Sequence, residues 1–261
     1  MVKHCWISIS NIIQFLESKN LNYTIVEQNR VLKILKPPTI ERIMIELSEM
    51  LELANCKETV LGQIVVESKN DPFKVLISTI LSQRTKDEVT ARASKTLFRK
   101  YSRPSDLAKA DKNKIQDMIK PVGFYRIKAQ RIIEVSQIIT ERFNGKTPSN
   151  FKDLVSLPSV GRKTANCVLV YGFKKAAIPV DTHVHRISNR LNIVQTKTPE
   201  ETEYSLIKNI QEKYWLNINN LFVRFGQTIC KPIKPKCEIC TLKGICAYYT
   251  LKELISNSKL L

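Results

Sequence analysis

The stretch LPSVGRKTANCVLVYGF, residues 157–173, decides how the middle of this 261-residue chain folds. Pro158 and Gly161 bracket a tight turn, because these two residue types are the strongest local interruptions of regular structure. After the turn, small and apolar residues recur at helical spacing: Thr164, Ala165, Val168, Leu169 and Gly172. The stretch therefore predicts a helix, a short hairpin and a second helix, whose first backbone N–H groups face outward, where a phosphate can bind.

Three other segments carry apolar residues at helical spacing between Asp, Ser, Gly or Pro boundaries. They are PFKVLISTILS at 72–82, DEVTARASKTLFRKY at 87–101 and RIKAQRIIEVSQIITERF at 126–143. The links between helical segments, such as SRPSD at 102–106, are too short for crossover strands. The helices must therefore pack directly on one another, and the sequence predicts an all-α fold.

Residues 1–37 differ from the rest and predict a small α/β extension. An amphipathic helix is indicated by apolar residues within 12–16, and NYTIVEQNRVLKIL at 22–35 places β-prone residues on both sides of a polar turn. Pro37 and Pro38 end this segment. Nothing in its pattern indicates what it binds or does.

The chain is strongly basic, with 42 Lys and Arg against 24 Asp and Glu, a formal net charge of +18. Such a field attracts polyanions, above all nucleic acid, although a solvated basic surface without a function gives the same count. No apolar run approaches the roughly 20 residues of a membrane span. The beginning of the chain lacks the pattern of a secretory signal, so we expect an intracellular protein, cytoplasmic or nucleoid-associated if prokaryotic.

Four of the seven cysteines are crowded near the C-terminus with the spacing C-x6-C-x2-C-x5-C: Cys230, Cys237, Cys240 and Cys246. Clustered thiols in a reducing compartment more often bind metal than form disulfides, and four thiolates suit either zinc or a four-iron cluster. The other three, Cys5, Cys56 and Cys167, have no ligand spacing, and Cys167 falls on an apolar helix, which predicts a core position.

Two motifs occur in order, L-P-x-V-G-R-K-T-A at 157–165 and V-D-T-H-V at 180–184. Together they resemble the helix–hairpin–helix and Gly/Pro–Asp region of endonuclease III-type DNA glycosylases. The resemblance implies that Lys163 is a catalytic nucleophile and Asp181 its partner. Taken as residue types alone, Lys163 also fits a phosphate-binding surface lysine and Asp181 a helix N-cap. The resemblance also places three hairpin residues at the DNA: Val160, Gly161 and Arg162.

The implied activity is a bifunctional one, removal of a damaged, oxidised pyrimidine followed by strand cleavage through a lysine Schiff base. A lysine in the first turn of a helix sits in positive potential, which we expect to favour its neutral, nucleophilic form. A carboxylate can accept the proton and stabilise positive charge at the sugar C1′. The alternative is a monofunctional mismatch glycosylase for adenine, thymine or uracil, and Lys163 argues against it.

The spacing of the four C-terminal cysteines resembles the [4Fe–4S] loop of the same family, which implies this cofactor, with zinc as the alternative. Between the first two ligands lies KPIKPK. A structural cluster would display its lysines toward phosphate, although they also fit a solvated loop. These lysines are Lys231, Lys234 and Lys236.

Two further segments resemble the family's DNA-opening loops. In ILSQRTKDEVT, Arg84 occupies the position of a polar side chain that fills the gap left by an extruded nucleotide, with Gln83 beside it. In KPVGFYRIKAQRI, Phe124 occupies the position of an apolar wedge. The alternatives without insertion into the duplex are an Arg84 that contacts a phosphate and a Phe124 that packs in the core. Ser159 departs from the family pattern, because many members have glycine there.

The resemblance implies two helical lobes with double-stranded DNA across the cleft between them. Residues 70–192 would form a six-helix barrel carrying the helix–hairpin–helix, and residues 38–69 with 193–261 would form the iron–sulfur lobe. Lys163 and Asp181 should face the cleft. We expect a monomer that binds duplex DNA with a damaged base or an abasic site, and no membrane partner.

Overall fold

The structure, a computed structural model, describes residues 24–28, 31–35 and 38–258. The helix predicted within 12–16 and Cys5 lie outside these residues. The helices are α1 Ile40–Leu53, α2 Val60–Glu67, α3 Pro72–Ser82, α4 Asp87–Lys100, α5 Pro104–Ala108, α6 Lys112–Met118, α7 Tyr125–Arg142, α8 Phe151–Val155, α9 Arg162–Cys167, α10 Thr182–Arg190, α11 Pro199–Asn209, α12 Trp215–Thr228 and α13 Ala247–Ser258.

The β-hairpin predicted by residues 22–35 is confirmed by two antiparallel strands, β1 Thr24–Gln28 and β2 Val31–Leu35. Their register places Thr24 opposite Leu35 and Gln28 opposite Val31. From residue 38 onward the described chain is helical with short connections, so the all-α prediction is confirmed. No helix in the described part of the chain is both long and apolar enough to cross a bilayer.

Helix beginnings follow the capping residues of the sequence. Asp71 caps α3 by accepting hydrogen bonds from the backbone N–H groups of Phe73 and Lys74, at 2.9 and 3.3 Å, and Pro72 occupies the first helical position. A carboxylate there satisfies donors that have no partner inside the helix, and proline loses nothing because its missing N–H would be unpaired anyway. Side-chain caps of the same kind begin α1, α2, α6, α8, α10 and α11.

Two hydrophobic cores divide the helices. The first is built around α3, where Val75, Leu76 and Ile80 are fully buried, and it extends to Ala177. The second begins at Ile43 in α1 and resumes at Ile178, so α10 belongs to it. The change of core between residues 177 and 178 precedes the expected boundary at 192. In addition, α2 contributes to the first core, whereas the sequence assigned it to the other lobe.

The predicted small-residue face of the hairpin's second helix packs tightly on α3. Helix α9 continues directly into a π-helical turn, Val168–Gly172. A Cβ added at Gly172 would lie 2.9 Å from the Cα of Pro72, so glycine permits the close approach of the two backbones. This contact holds the N-terminus of α9, with Lys163, at one rim of the first core.

Candidate active site

Lys163 and Asp181 line one cleft between the two cores. Lys163 comes from the first turn of α9, on the first core, and Asp181 precedes α10, on the second. The cleft encloses about 1030 Å³, including its open mouth. Its walls also carry Gln83 and Arg84, Asp87, His183 and Asn219. Packing of the two cores against each other thus brings the two predicted catalytic residues to the same cleft.

Asp181 is the N-cap of α10. Its Oδ1 accepts hydrogen bonds from the backbone N–H groups of His183 and Val184, both at 2.9 Å. Asp181 is therefore a helix N-cap, as its residue type alone suggested, but the cap uses only one of its two carboxylate oxygens. Oδ2 accepts no hydrogen bond from the residues that the structure describes, and the side chain lines the cleft. Capping and chemistry are compatible in this carboxylate.

The environment of Lys163 corrects one expectation. Burial acts to lower the pKa of Lys163, but Cys167, Asp181 and Asp87 outweigh it, and the net direction is upward. The amine is thus a stable ammonium in the protein without DNA, not a neutral nucleophile prepared by the helix dipole. The reason is that Cys167, and after it Asp181 and Asp87, favour the charged form more than burial disfavours it. A base must therefore take its proton when DNA is bound.

Cys167 lies one helical turn after Lys163, is fully buried and is the first of the groups that raise the pKa of the lysine. Its core position was predicted, but this effect on the lysine was not. Burial raises the pKa of Cys167, so the thiol stays protonated at neutral pH. The lasting negative charges near Lys163 are consequently carboxylates. The spacing of four residues, which places two side chains next to each other on one helix, was the signal in the sequence that could have linked Cys167 to Lys163.

The hairpin contains a strained residue. Ser159 has a φ of 61°, a left-handed conformation that glycine adopts more easily. Gly161 caps α9 without a side-chain hydrogen bond, which leaves the first N–H groups of α9 free for an external acceptor. Val160 is 5% exposed and its N–H donates to the carbonyl of Leu157. Its side chain and N–H are thus both engaged within the protein, and a DNA contact by Val160 stays a prediction.

We predict that Ser159→Gly raises the free energy of unfolding by about 1 kcal/mol, since it relieves the left-handed strain. Affinity for abasic DNA should stay within about twofold, because the hairpin already adopts the binding conformation. Chemical denaturation and a binding titration measure the two effects. Ser156→Gly is the matched control: Ser156 has a φ of −74° and should lose stability on the same change. Equal shifts in both variants would refute the strain argument.

Arg162 is held by protein contacts. Its guanidinium donates to both carboxylate oxygens of Glu203, at 2.8 and 3.2 Å, and lies between the rings of Phe151 and Tyr204. Glu203 is only 4% exposed. A bidentate, partly buried pair of this kind is costly to break. The side chain therefore ties the hairpin to α11, and only the backbone N–H of Arg162 remains for DNA.

Two loops project from the first core beside the cleft. Gln83 donates through Nε2 to the carbonyl of Ser159 at 3.1 Å, so its amide is directed at the hairpin. Arg84 is exposed, and its guanidinium lies 5.8 Å from the centroid of the Phe124 ring. Phe124 is 57% exposed, which excludes the core alternative. Both residues have left-handed backbones, with φ of 51° at Arg84 and 58° at Phe124.

The four C-terminal cysteines surround one cavity of about 370 Å³. All six described cysteines are free thiols. Burial raises the pKa of Cys240 to about 12 and also raises those of Cys237 and Cys246, so a bound metal would have to displace their protons. Among the described residues, no three His, Cys, Asp or Glu side chains converge closely enough to hold a single ion.

Helix α10 anchors the cysteine loop. Arg190 donates to Cys230 Sγ at 3.3 Å and to the carbonyls of Lys231 and Pro232 at 2.8 and 2.9 Å, and it stacks on Tyr248. These contacts hold the beginning of the loop, whose three lysines are all exposed. Sequence reasoning missed Arg190, because its partners are carbonyls forty or more positions away that leave no local pattern.

Comparison with known proteins shows which family the sequence and the fold resemble. Residues 77–212 match a family described as HhH-GPD superfamily base excision DNA repair protein. Endonuclease III of Thermotoga maritima is 56% identical over 181 residues, which cover 69% of this chain and 85% of that protein. Endonuclease III of Bacillus subtilis is 36% identical over 208 residues, 79% of this chain and 91% of that protein. A trapped endonuclease III–DNA covalent intermediate superimposes with a TM-score of 0.71 at 31% identity, covering 83% of this chain and 99% of that one.

Proposed function

Because the chain belongs to the HhH-GPD superfamily of base excision DNA repair proteins, we propose how its cleft performs the reaction. The protein is a bifunctional DNA glycosylase and abasic-site lyase. The observation that carries the lyase activity is the placement of Lys163 and Asp181 in one cleft between the cores. The solved relative trapped as a covalent intermediate with DNA supports the same chemistry. Oxidised pyrimidines are the proposed lesions.

In the proposed mechanism, Asp181 accepts the proton that the Lys163 ammonium must lose, and the neutral amine attacks C1′ of the everted nucleotide as the glycosidic bond breaks. The base departs with the bonding electrons and takes this proton from Asp181, and the carboxylate so restored stabilises the positive charge at C1′. The sugar ring opens to a Schiff base on Lys163. Loss of the adjacent sugar proton then expels the 3′ phosphate and cuts the strand, and hydrolysis releases the enzyme.

The DNA contacts form the second part of the proposal. Gly161, with the N–H groups that open α9, binds a phosphate, and the exposed Lys231, Lys234 and Lys236 bind the backbone beside the cysteine loop. Arg84 fills the gap left by the extruded nucleotide, because the Gln83 amide already contacts the hairpin. Exposed Phe124 inserts as the apolar wedge. The protein acts as a monomer on duplex DNA and therefore inside the cell.

The four cysteines around one cavity support a [4Fe–4S] cluster in preference to zinc. In a four-iron cluster each thiolate binds a different iron, whereas a zinc site draws all four sulfurs to one ion. The four thiols line one cavity, and their spacing along the chain resembles the [4Fe–4S] loop of the family. The ligands would be Cys230, Cys237, Cys240 and Cys246. When bound, the cluster supplies a structural cross-link for the lysine-bearing loop rather than a step of the reaction.

We predict that protein purified without oxygen contains about four irons per chain and absorbs broadly near 400 nm. Cys240→Ala should lose the absorbance, unfold at lower temperature and bind DNA more weakly. Cys56→Ala is the matched control, because Cys56 packs on the second core outside the cysteine cavity. Metal analysis that finds one zinc per chain and no iron would contradict the assignment.

The function is tested with duplexes that each carry one lesion, assayed for base release and for strand cleavage. Oxidised pyrimidines should give both products, and borohydride should trap a covalent adduct. Base release from mismatched adenine, thymine or uracil that leaves an intact abasic strand would favour the monofunctional alternative. The presence of Lys163 in the cleft favours the bifunctional enzyme.

A further inference from the structure

A buried lysine joins the two loops that project beside the cleft. Lys128 lies in the first turns of α7 and is only 6% exposed. Its ammonium donates to the carbonyl of Leu81 at 2.8 Å, to the carbonyl of Gln83, and to Thr85 Oγ1 at 3.0 Å. These acceptors surround the C-terminus of α3, where carbonyls lack partners inside the helix and a positive charge is favourable.

Thr85 connects the same lysine to the second loop. Its hydroxyl donates to the carbonyl of Gln83 at 3.3 Å and accepts from Lys128 and from the backbone N–H of Gly123, the latter at 3.2 Å. One donor and two acceptor sites are thus all used. The loop backbones also touch, because a Cβ added at Gly123 would lie 2.6 Å from the carbonyl oxygen of Arg84.

The position of Lys128 is costly for stability. None of the ion pairs between described residues includes it, so no carboxylate offsets the burial of its charge. Burial accordingly lowers the pKa of Lys128 to about 8, which still leaves it charged at neutral pH. An apolar residue would fill this site at less cost, but it could not hold the carbonyls of Leu81 and Gln83 and the Thr85 hydroxyl.

We infer that Lys128 is a positioning residue that joins loops 83–85 and 121–124 into one DNA-inserting unit. The inference rests on the proposed roles of Arg84 and Phe124. Separating stacked bases costs a few kcal/mol per step, and flexible loops would add the cost of ordering themselves. Because the ammonium binds loop 83–85, and loop 121–124 is tied to it by the Gly123 N–H on Thr85 and by the helix that carries Lys128, Arg84 and Phe124 enter the duplex already aligned. Each nevertheless has a strained left-handed backbone.

Two substrates separate positioning from chemistry. A lesion stacked in a duplex requires insertion of the loops, whereas an abasic site in single-stranded DNA requires only the chemistry of Lys163. Lys128→Met should slow single-turnover excision from the duplex by about a hundredfold, as misplacement of positioning groups does. Cleavage at the single-stranded abasic site should stay within about threefold. Arg131→Met, which removes an exposed charge from the same helix, is the control and should leave both rates unchanged.

A second readout does not depend on DNA. In Lys128→Met, hydrogen exchange at the amide of Gly123 should accelerate, while amides in the buried part of α3 stay protected. Thr85→Val should share the duplex-specific defect and add little to Lys128→Met, because both variants break the same connection. If Lys128→Met does not fold, Thr85→Val provides the rates and the exchange data.

Equal slowing on both substrates, or unchanged excision from the duplex, would overturn the inference. Failure of the proposed function has a different signature. In that case the wild-type protein itself would not cleave single-stranded abasic DNA or form a borohydride-trapped adduct, whatever residue stands at position 128.

Discussion

Replacing Lys163 by glutamine should abolish the borohydride-trapped adduct and slow strand cleavage at an abasic site by at least about a thousandfold. Glutamine retains the length and most of the packing of lysine but cannot form a Schiff base. The change should be visible directly as loss of the slower-migrating protein–DNA band in a denaturing gel. No other residue is expected to supply the missing amine nucleophile, so the loss of the adduct should be nearly complete.

The control for Lys163→Gln is Lys152→Gln, which removes an exposed charge from helix α8 just before the hairpin. It should leave adduct formation unchanged and weaken DNA binding slightly. Affinity of Lys163→Gln for abasic DNA should remain close to that of the wild type, because the hairpin N–H groups and the loop lysines are intact. A Lys163→Gln protein that still forms the adduct would show that another amine is the nucleophile.

Asp181→Asn should reduce excision of a damaged base by about 10²- to 10⁴-fold, the range expected for loss of a positioned proton acceptor and charge. The fold should survive, because asparagine caps a helix about as well as aspartate and can keep the bonds to His183 and Val184. The effect should be smaller on a preformed abasic site, where the glycosidic bond is already broken, but it should not vanish, because Lys163 must still lose its proton. Single-turnover rates on the two substrates measure this split.

Asp181→Ala provides the complementary control, since it removes the cap together with the charge. It should lose about 1 kcal/mol of stability beyond Asp181→Asn, while its excision rate should fall by a similar factor. If Asp181→Asn were as active as the wild type, Asp181 would be a structural cap alone. The proton acceptor would then have to be sought among the other cleft residues, of which Asp87 is a second carboxylate.

The surroundings of Lys163 favour the stability of the folded protein but oppose the use of this lysine as a nucleophile. Cys167, Asp181 and Asp87 raise the pKa of Lys163 and keep it charged in the free protein, and a charged amine is stable in this site but is not a nucleophile. Lys163 must therefore lose a proton in the complex with DNA before it can attack C1′.

Local pattern was sufficient for the helices and for the parts of the site that lie close together in the chain. Apolar spacing, caps such as Asp71 and the turn at Pro158 to Gly161 depend on neighbours within a few residues. The cysteine spacing and the hairpin motif are equally local. The sequence by itself therefore determined the all-α class, the hairpin at 24–35 and the candidate catalytic and metal-binding residues.

Only the tertiary structure decided how those residues act, because electrostatics and hydrogen bonding depend on groups remote in sequence. The upward pKa shift of Lys163 arises partly from Asp87, and the engagement of Arg162 arises from Glu203. Lys128 looks like any other helical lysine in the sequence, yet folding buries it among carbonyls of another helix. The stretch at 157–173 that determines the fold thus contains the lysine proposed to be catalytic, whereas packing between the two cores sets the charge of that lysine and brings Asp181 to the same cleft.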